Sequence, residues 1–213
     1  RAVAERFWRD AKARPALSNV ITISRVHGSG GTTVAMMVAR ELGLKLYDRE
    51  IIEHIAQRLR TGMHQVESLD ESYSSTIEDI VQGALERLPS SATYRRILGE
   101  VVRGIASQGN VVIVGRGGSF LLPQSLRVRI IAPFEVRVAR VVELEGISER
   151  EARQKVARLD AQRRAFAKAH FRLDSSDPTL YDLVINTERT TLEQAAMLIV
   201  TAARYRQTAV KEA

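Results

Sequence analysis

Val20-Ile21-Thr22-Ile23-Ser24-Arg25-Val26-His27-Gly28-Ser29-Gly30-Gly31-Thr32-Thr33 is the stretch on which the reading of this chain turns. The β-branched run from Val20 to Ile23 predicts a buried strand. Gly28-Ser29-Gly30-Gly31 predicts a tight turn. From Thr33 to Leu42 apolar residues recur at helical spacing, which assigns Ala35, Met36, Ala39 and Leu42 to the inner face. A strand, a glycine turn and a helix in that order form a cradle for a phosphate. Glycines let backbone N–H groups close on the anion, and the helix N-terminus adds a partial positive charge. Gly28, Ser29, Gly30, Gly31, Thr32 and Thr33 are therefore candidate phosphate-binding residues. A hydroxyl at Thr32 or Thr33 suits a phosphate-bound Mg²⁺ or a helix cap. The same residues also read as a plain turn without a ligand, and the stretch alone leaves both readings open.

The spacing departs from the phosphate-loop pattern G-x-x-x-x-G-K-[ST] at two positions. Gly31 stands where the lysine belongs, and Arg25 stands at the first glycine. Arg25 is thus the nearest candidate to supply the missing positive charge.

Composition bounds the rest. The 213 residues carry a formal charge of +7, with 45% hydrophobic and 27% charged residues, which suits one α/β domain with an ordinary core. The basic balance suits an anionic partner. The aromatic share of 5% leaves few stacking platforms, so nucleic acid is not an expected partner. There is no cysteine, which excludes disulfides and thiol catalysis and fits a cytoplasmic setting. No run is long and apolar enough to span a membrane.

Residues 1–18 predict a basic amphipathic helix or linker, ended by Arg14-Pro15, that suits a link to an upstream domain or to a second copy of the chain. Beyond the first helix, Leu44 to Tyr47 predicts a short strand and Asp48 a helix N-cap. A polar loop, Thr61 to Ser75, and a helix from Ile77 to Leu88 follow, then a further helix from Tyr94 to Ser107. Val111-Val112-Ile113-Val114 lacks alternation and predicts a strand buried on both faces of a parallel sheet. It runs into Gly115-Arg116-Gly117-Gly118, and an arginine at the C-terminal end of such a strand lies where ligands collect. Leu126 to Ile131 predicts a strand, and Phe134 to Leu144 a helix bearing Arg137 and Arg140. Ser148 caps a long helix rich in Arg and Lys that includes Asp160, Arg163 and Arg164. That helix reads as a solvated face or as an arginine-bearing lid over polyphosphate. Leu180 to Asn186 predicts the last strand, and Leu192 to about Tyr205 the last helix. Five alternations of strand and helix predict a parallel sheet with helices on both faces.

Taken together, Ile21 to Arg25 with Gly28-Ser29-Gly30-Gly31, Leu46-Tyr47-Asp48-Arg49-Glu50, Val112 to Gly117, Ala132-Pro133 through Arg137 and Arg140, Asp160 with Arg163 and Arg164, and Tyr181 to Thr187 resemble the cytidylate-kinase-like family of phosphate-loop proteins. The resemblance implies a three-layer α/β fold with a five-stranded parallel sheet in the order 2-3-1-4-5. It implies a kinase-like domain over about 19–207, with an acceptor-binding region near 48–108 and a lid near 148–172, and a tail at 208–213. By that likeness the glycine turn holds the donor β-phosphate. Arg116 lies near the acceptor or transferring phosphate, Arg163 and Arg164 belong to the lid, and Arg137 and Arg140 lie near the donor nucleotide; with the lysine missing, Arg116, Arg163, Arg164 and, from its place beside the loop, Arg25 are the candidate catalytic cations. Asp48, Arg49, Asp160 and Asp182 are assigned to the acceptor side. The expected ligands are ATP with Mg²⁺, for which Thr32 is the one obvious protein ligand, and a nucleoside monophosphate such as CMP or dCMP. The family's loop lysine and the two aspartates of its Asp-Gly-Arg-Asp motif are absent here. The alternative is therefore a module that binds a nucleotide or phosphate with weak turnover or none.

Overall fold

A computed structural model describes residues 19–48, 52 and 91–211, the side chains at 91–93 and 207–211 excepted. The N-terminal helix expected at 1–18, Arg49, the polar loop and the helix at Ile77 to Leu88 lie outside the described residues. Five strands form one sheet: β1 (Val20–Arg25), β2 (Lys45–Tyr47), β3 (Val111–Val114), β4 (Leu126–Ile131) and β5 (Leu183–Asn186). Their order is β2-β3-β1-β4-β5, and every pair is parallel. The helices are α1 (Gly31–Leu42), α2 (Ser91–Ser107), α3 (Gly118–Leu121), α4 (Phe134–Glu145), α5 (Glu149–Phe171) and α6 (Leu192–Lys211).

Alternation along the strands explains the two layers of the core. Ile21, Ile23, Val112, Val114, Val128 and Ile130 project to one face, where they meet Val34 and Val38 of α1 and Ile199 of α6. Val20, Val111 and Ile113 project to the other, against Leu98 and Val102 of α2 and Phe166 and Phe171 of α5. Burial on both faces is what a continuous apolar strand such as β3 encodes. In β4 the residues alternating with Val128 and Ile130 are Arg127 and Arg129, both buried. Arg129 donates to Ser24 Oγ at 2.9 Å and to the Tyr181 hydroxyl at 3.2 Å.

Some boundaries differ from the sequence reading, each for a local reason. The first helix begins two residues early, at Gly31, because Gly30 takes the left-handed conformation (φ 75°) and serves as N-cap. Its inner face is Val34, Ala35, Val38 and Ala39, whereas Met36 is half exposed, one residue off the stripe. Asp177 caps a 3-10 turn over Pro178–Leu180, so β5 starts only at Leu183. The terminal helix runs on to Lys211, through most of the expected tail. Ser148 caps α5 as expected, in a reciprocal capping box with Glu151. No helix among the described residues is long and apolar enough to cross a membrane.

Candidate phosphate site

The loop from Val26 to Gly30 leaves the C-terminal end of β1, the central strand, where ligands gather in open parallel sheets. Gly28 and Gly30 both have positive φ, which bends the backbone back toward the helix start. Helix α1 has no acidic residue in its first turn, and its N-cap, Gly30, has no side chain to bond the first N–H groups. Its first N–H groups, at Gly31, Thr32 and Thr33, therefore point outward with the positive end of the helix dipole. Thr32 is exposed and Thr33 half-buried at this end. Ser29 is turned inward: its hydroxyl donates to the Val26 carbonyl at 2.8 Å. The Ser29 side chain thus shapes the loop instead of facing a ligand.

The loop is gripped from outside by three elements. Asp160 Oδ1 of α5 accepts from the His27 N–H at 3.1 Å, and Arg137 Nη1 of α4 donates to the His27 carbonyl at 3.1 Å. Arg137 and Asp160 also form an ion pair of 2.6 Å, with each side chain only 9% exposed. Arg137 Nε donates to the Ala132 carbonyl. Thr187, just past β5, donates its hydroxyl to the Ser29 carbonyl at 2.8 Å, and Arg140 in turn donates to Thr187 Oγ1 and O. Arg137, Arg140 and Asp160 therefore act on the loop's backbone from behind. His27 itself is held near neutral form. Burial first, then the nearby Arg163 guanidinium, pushes its imidazole down to about 4.

The rim of the site is cationic. Arg163 Nη1 of α5 reaches the Arg25 carbonyl at 3.1 Å, the last backbone acceptor of β1. Arg116 sits in the turn after β3 with φ 45°, between Gly115 (φ 78°) and Gly117 (φ 71°). Three consecutive left-handed residues, one of them an arginine, form the kind of strained turn that concentrates at functional sites. The Arg116 guanidinium lies 5.1 Å from the centre of the Phe166 ring, within an aromatic group formed by Tyr94, Phe166, His170 and Phe171. This ties the turn after β3 to the C-terminal half of α5. The His170 imidazole is pushed below its usual range, by burial first and then by Arg95 and Arg116.

Arg25 and Gly31 share one space. A Cβ at Gly31 would lie 2.6 Å from Arg25 Cβ and 3.1 Å from its Cγ, with Ile130 Cβ at 3.3 Å. A Cβ at Gly115 would lie 2.5 Å from Arg25 Nη1. The Arg25 side chain thus runs from the end of β1, past the first residue of α1, to the end of β3.

Not every candidate joins this cluster. Arg164 is exposed on α5, and it contributes to holding the Asp174 carboxyl below its usual range, after the hydrogen bonds from Ser176. Asp48 follows β2, and its carbonyl accepts from the Ile52 N–H. Asp182 is a correction. It accepts from the Arg127 N–H and guanidinium and from Arg206, at the N-terminal ends of β4 and β5. That edge of the sheet is opposite the glycine loop, so Asp182 belongs to the scaffold and not to the acceptor side. The basic run of α5 divides likewise: Arg153 pairs with Glu135 and Glu149, and Lys155 with Glu145, which ties the helix to α4. The sequence reading gave no role to Thr187, although it lies in a matching segment, or to Arg129. The signal for Arg129 was present, since Leu126 to Ile130 alternates apolar residues with arginines.

The chain from 20 to 189 matches the family model described as the cytidylate kinase-like family. It is 30% identical over 172 residues to a cytidylate kinase of Pyrococcus horikoshii, covering 80% of each chain. It is 31% identical over 196 residues to a cytidylate kinase of Archaeoglobus fulgidus, covering 90% of this chain and 98% of that one. Among solved structures, an uncharacterized protein from Eubacterium ventriosum superposes with a TM-score of 0.69 at 23% identity, over 89% of this chain and 99% of that one. A shikimate kinase from Bacteroides thetaiotaomicron gives 0.52 at 18%, over 87% and 98%. These two likenesses show the fold.

Proposed function

Because the chain belongs to the cytidylate kinase-like family, we propose that it is a nucleoside monophosphate kinase that phosphorylates CMP or dCMP with ATP. An oxygen of the acceptor's 5′-phosphate attacks the γ-phosphorus of ATP. The bond from that phosphorus to the β,γ-bridging oxygen breaks, ADP leaves, and the acceptor departs as its diphosphate. Such a transfer asks the protein chiefly for positioning and for stabilisation of spread negative charge.

The observation that carries this reading is the open N-terminus of α1 at the end of the central strand, with Arg116 and Arg163 on its rim. In the proposal, the loop N–H groups hold the donor β-phosphate, and Arg116 and Arg163 attend the transferring phosphoryl. Arg137, Arg140 and Asp160 act as positioning residues that fix the loop. Asp48 and Arg49 open the acceptor region. Mg²⁺ arrives with the nucleotide, and Thr32 is the protein hydroxyl placed to meet it. Among the described residues no cluster of three acidic or histidine side chains offers a separate metal site.

The test is an incubation with ATP, Mg²⁺ and a panel of nucleoside monophosphates, followed by chromatography. CDP or dCDP appearing with matching ADP is expected. Arg116→Ala should lower turnover by roughly a hundredfold or more, as removal of a cation at a transferring phosphoryl does. Absence of any diphosphate product from folded protein would overturn the catalytic reading and leave a nucleotide-binding module, the reading favoured by the missing lysine.

A further inference from the structure

We propose that Arg25 supplies the phosphate-loop cation, and that Gly31 is glycine because the Arg25 side chain occupies the space a lysine there would need. The proposal rests on the kinase reading above and identifies how its loop is charged. The loop holds a cation, delivered from the last residue of β1 and not from the first turn of α1.

Three observations converge. First, the two positions exclude each other. A Cβ at Gly31 meets Arg25 Cβ at 2.6 Å, closer than real Cβ atoms come, and the obstruction is the rigid root of the side chain. Ile130 Cβ at 3.3 Å closes the other side, so a side chain at position 31 has nowhere to retreat. Second, the guanidinium is aimed. It crosses from β1 to Gly115 at the end of β3, where Nη1 comes within 2.5 Å of the position a Cβ would take. The strand ends β1 and β3 flank the place a terminal phosphate reaches when its neighbour lies on the N–H groups of α1. Third, the root of the side chain is fixed. Arg25 is paired with Ile130 in the sheet, and its carbonyl accepts from Arg163 Nη1 at 3.1 Å.

The chemistry suits the substitution. A loop lysine bridges the β- and γ-phosphates as a point charge. A guanidinium keeps its charge at any relevant pH and offers planar paired donors to two phosphate oxygens. Placing it on a strand end costs less side-chain freedom than on a helix start, because its stem is already packed against Gly31.

The geometry also gives a reversal. Arg25→Gly together with Gly31→Lys removes the obstruction and completes the pattern G-x-x-x-x-G-K-T in this chain. Arg25→Gln keeps the Cβ–Cγ stem that packs against Gly31 and removes the guanidinium. Five proteins are compared: the native chain, Arg25→Gln, Arg25→Lys, Gly31→Lys and the double variant. Each is measured for kcat, for KM of the monophosphate, for affinity toward a fluorescent ATP analogue and for melting temperature.

Arg25→Gln should lose at least a hundredfold in kcat and tenfold in ATP affinity, while KM for the monophosphate changes less than threefold and melting stays within a few degrees. Arg25→Lys should retain more activity than Arg25→Gln. Gly31→Lys alone should be impaired, and the double variant should exceed Arg25→Gln in kcat by at least tenfold. Arg25→Gln with near-native kcat and ATP affinity would overturn the proposal. So would a fully active Gly31→Lys variant, or a folded double variant no better than Arg25→Gln. If the native chain makes no diphosphate, the kinase reading fails by itself. The ATP-analogue affinities then decide the proposal: a tenfold loss in Arg25→Gln sustains it, and an unchanged affinity refutes it.

Discussion

Replacing Asp160 by Ala should be among the most damaging single changes to this protein outside its apolar core. The carboxylate is buried and spends both oxygens: Oδ2 on Arg137 at 2.6 Å, Oδ1 on the His27 N–H at 3.1 Å. Removing it leaves a guanidinium at 9% side-chain exposure with two carbonyls and the Phe134 ring but no counter-charge, and a loop N–H without its acceptor. Breaking a buried pair from one side costs about 3–5 kcal/mol. At about 2–4 °C per kcal/mol for a chain of this size, that is a fall of roughly 6–20 °C in melting temperature. Arg137→Met should cost a comparable amount. The two losses should not add, because both variants break the same ion pair and each strands the partner that the other removes. The double variant Arg137→Met/Asp160→Ala should fall short of the sum by about 1–3 kcal/mol. Urea unfolding of the four proteins measures all of this. A loss below about 1 kcal/mol in Asp160→Ala, or strict additivity, would refute the view that this pair clamps the loop.

Other expectations bear on stability and on the separation of scaffold from site. His27 has a folded-state pKa of about 4 against about 6.5 when unfolded, so the unfolded chain takes up a proton first. Stability should therefore be full above pH 6.5 and decline toward pH 4. Urea midpoints across that range should show a shallower decline in His27→Gln, and an unchanged slope would exclude His27 as its source. Asp182→Asn should lower stability by about 1–3 kcal/mol, since buried Arg127 loses its charged partner, while KM for both substrates stays native. A raised acceptor KM would return Asp182 to the site. Arg153→Ala should leave the melting temperature essentially native, because its ion pairs with Glu135 and Glu149 are exposed; a clear fall in thermal unfolding would show that they clamp α4 to α5.

The strand, loop and helix from Val20 to Leu42 were legible because each rests on local chemistry: β-branched residues, glycines, and a 3.6-residue apolar period. Ser148 was legible for the same reason, as a hydroxyl three residues before Glu151. What the sequence could not separate was arginines that share a residue type and differ in destination. Arg137 and Arg163 are both basic residues on helices. One turns inward to a carboxylate 23 positions away, and the other reaches back to β1 across 138. Only the packing of α5 across α4 and the sheet makes that difference. Asp182 misled for a related reason. Its place in a matching segment does not tell which edge of the sheet the segment's first residue occupies. The steric tie between Arg25 and Gly31 was invisible as well, although both departures from the loop pattern were in plain view.

That tie has a consequence for how such a loop changes over generations. A chain with Arg25 and Gly31 cannot drift to the lysine form by one change at position 31, because the incoming side chain meets the old one. Replacing the arginine by glycine first opens the space but leaves the loop without its own cation until a second mutation arrives. The two forms are thus separated by a fitness valley two steps wide. A lineage on either side should hold its pair together as a unit, so that the residue at one position forecasts the residue at the other.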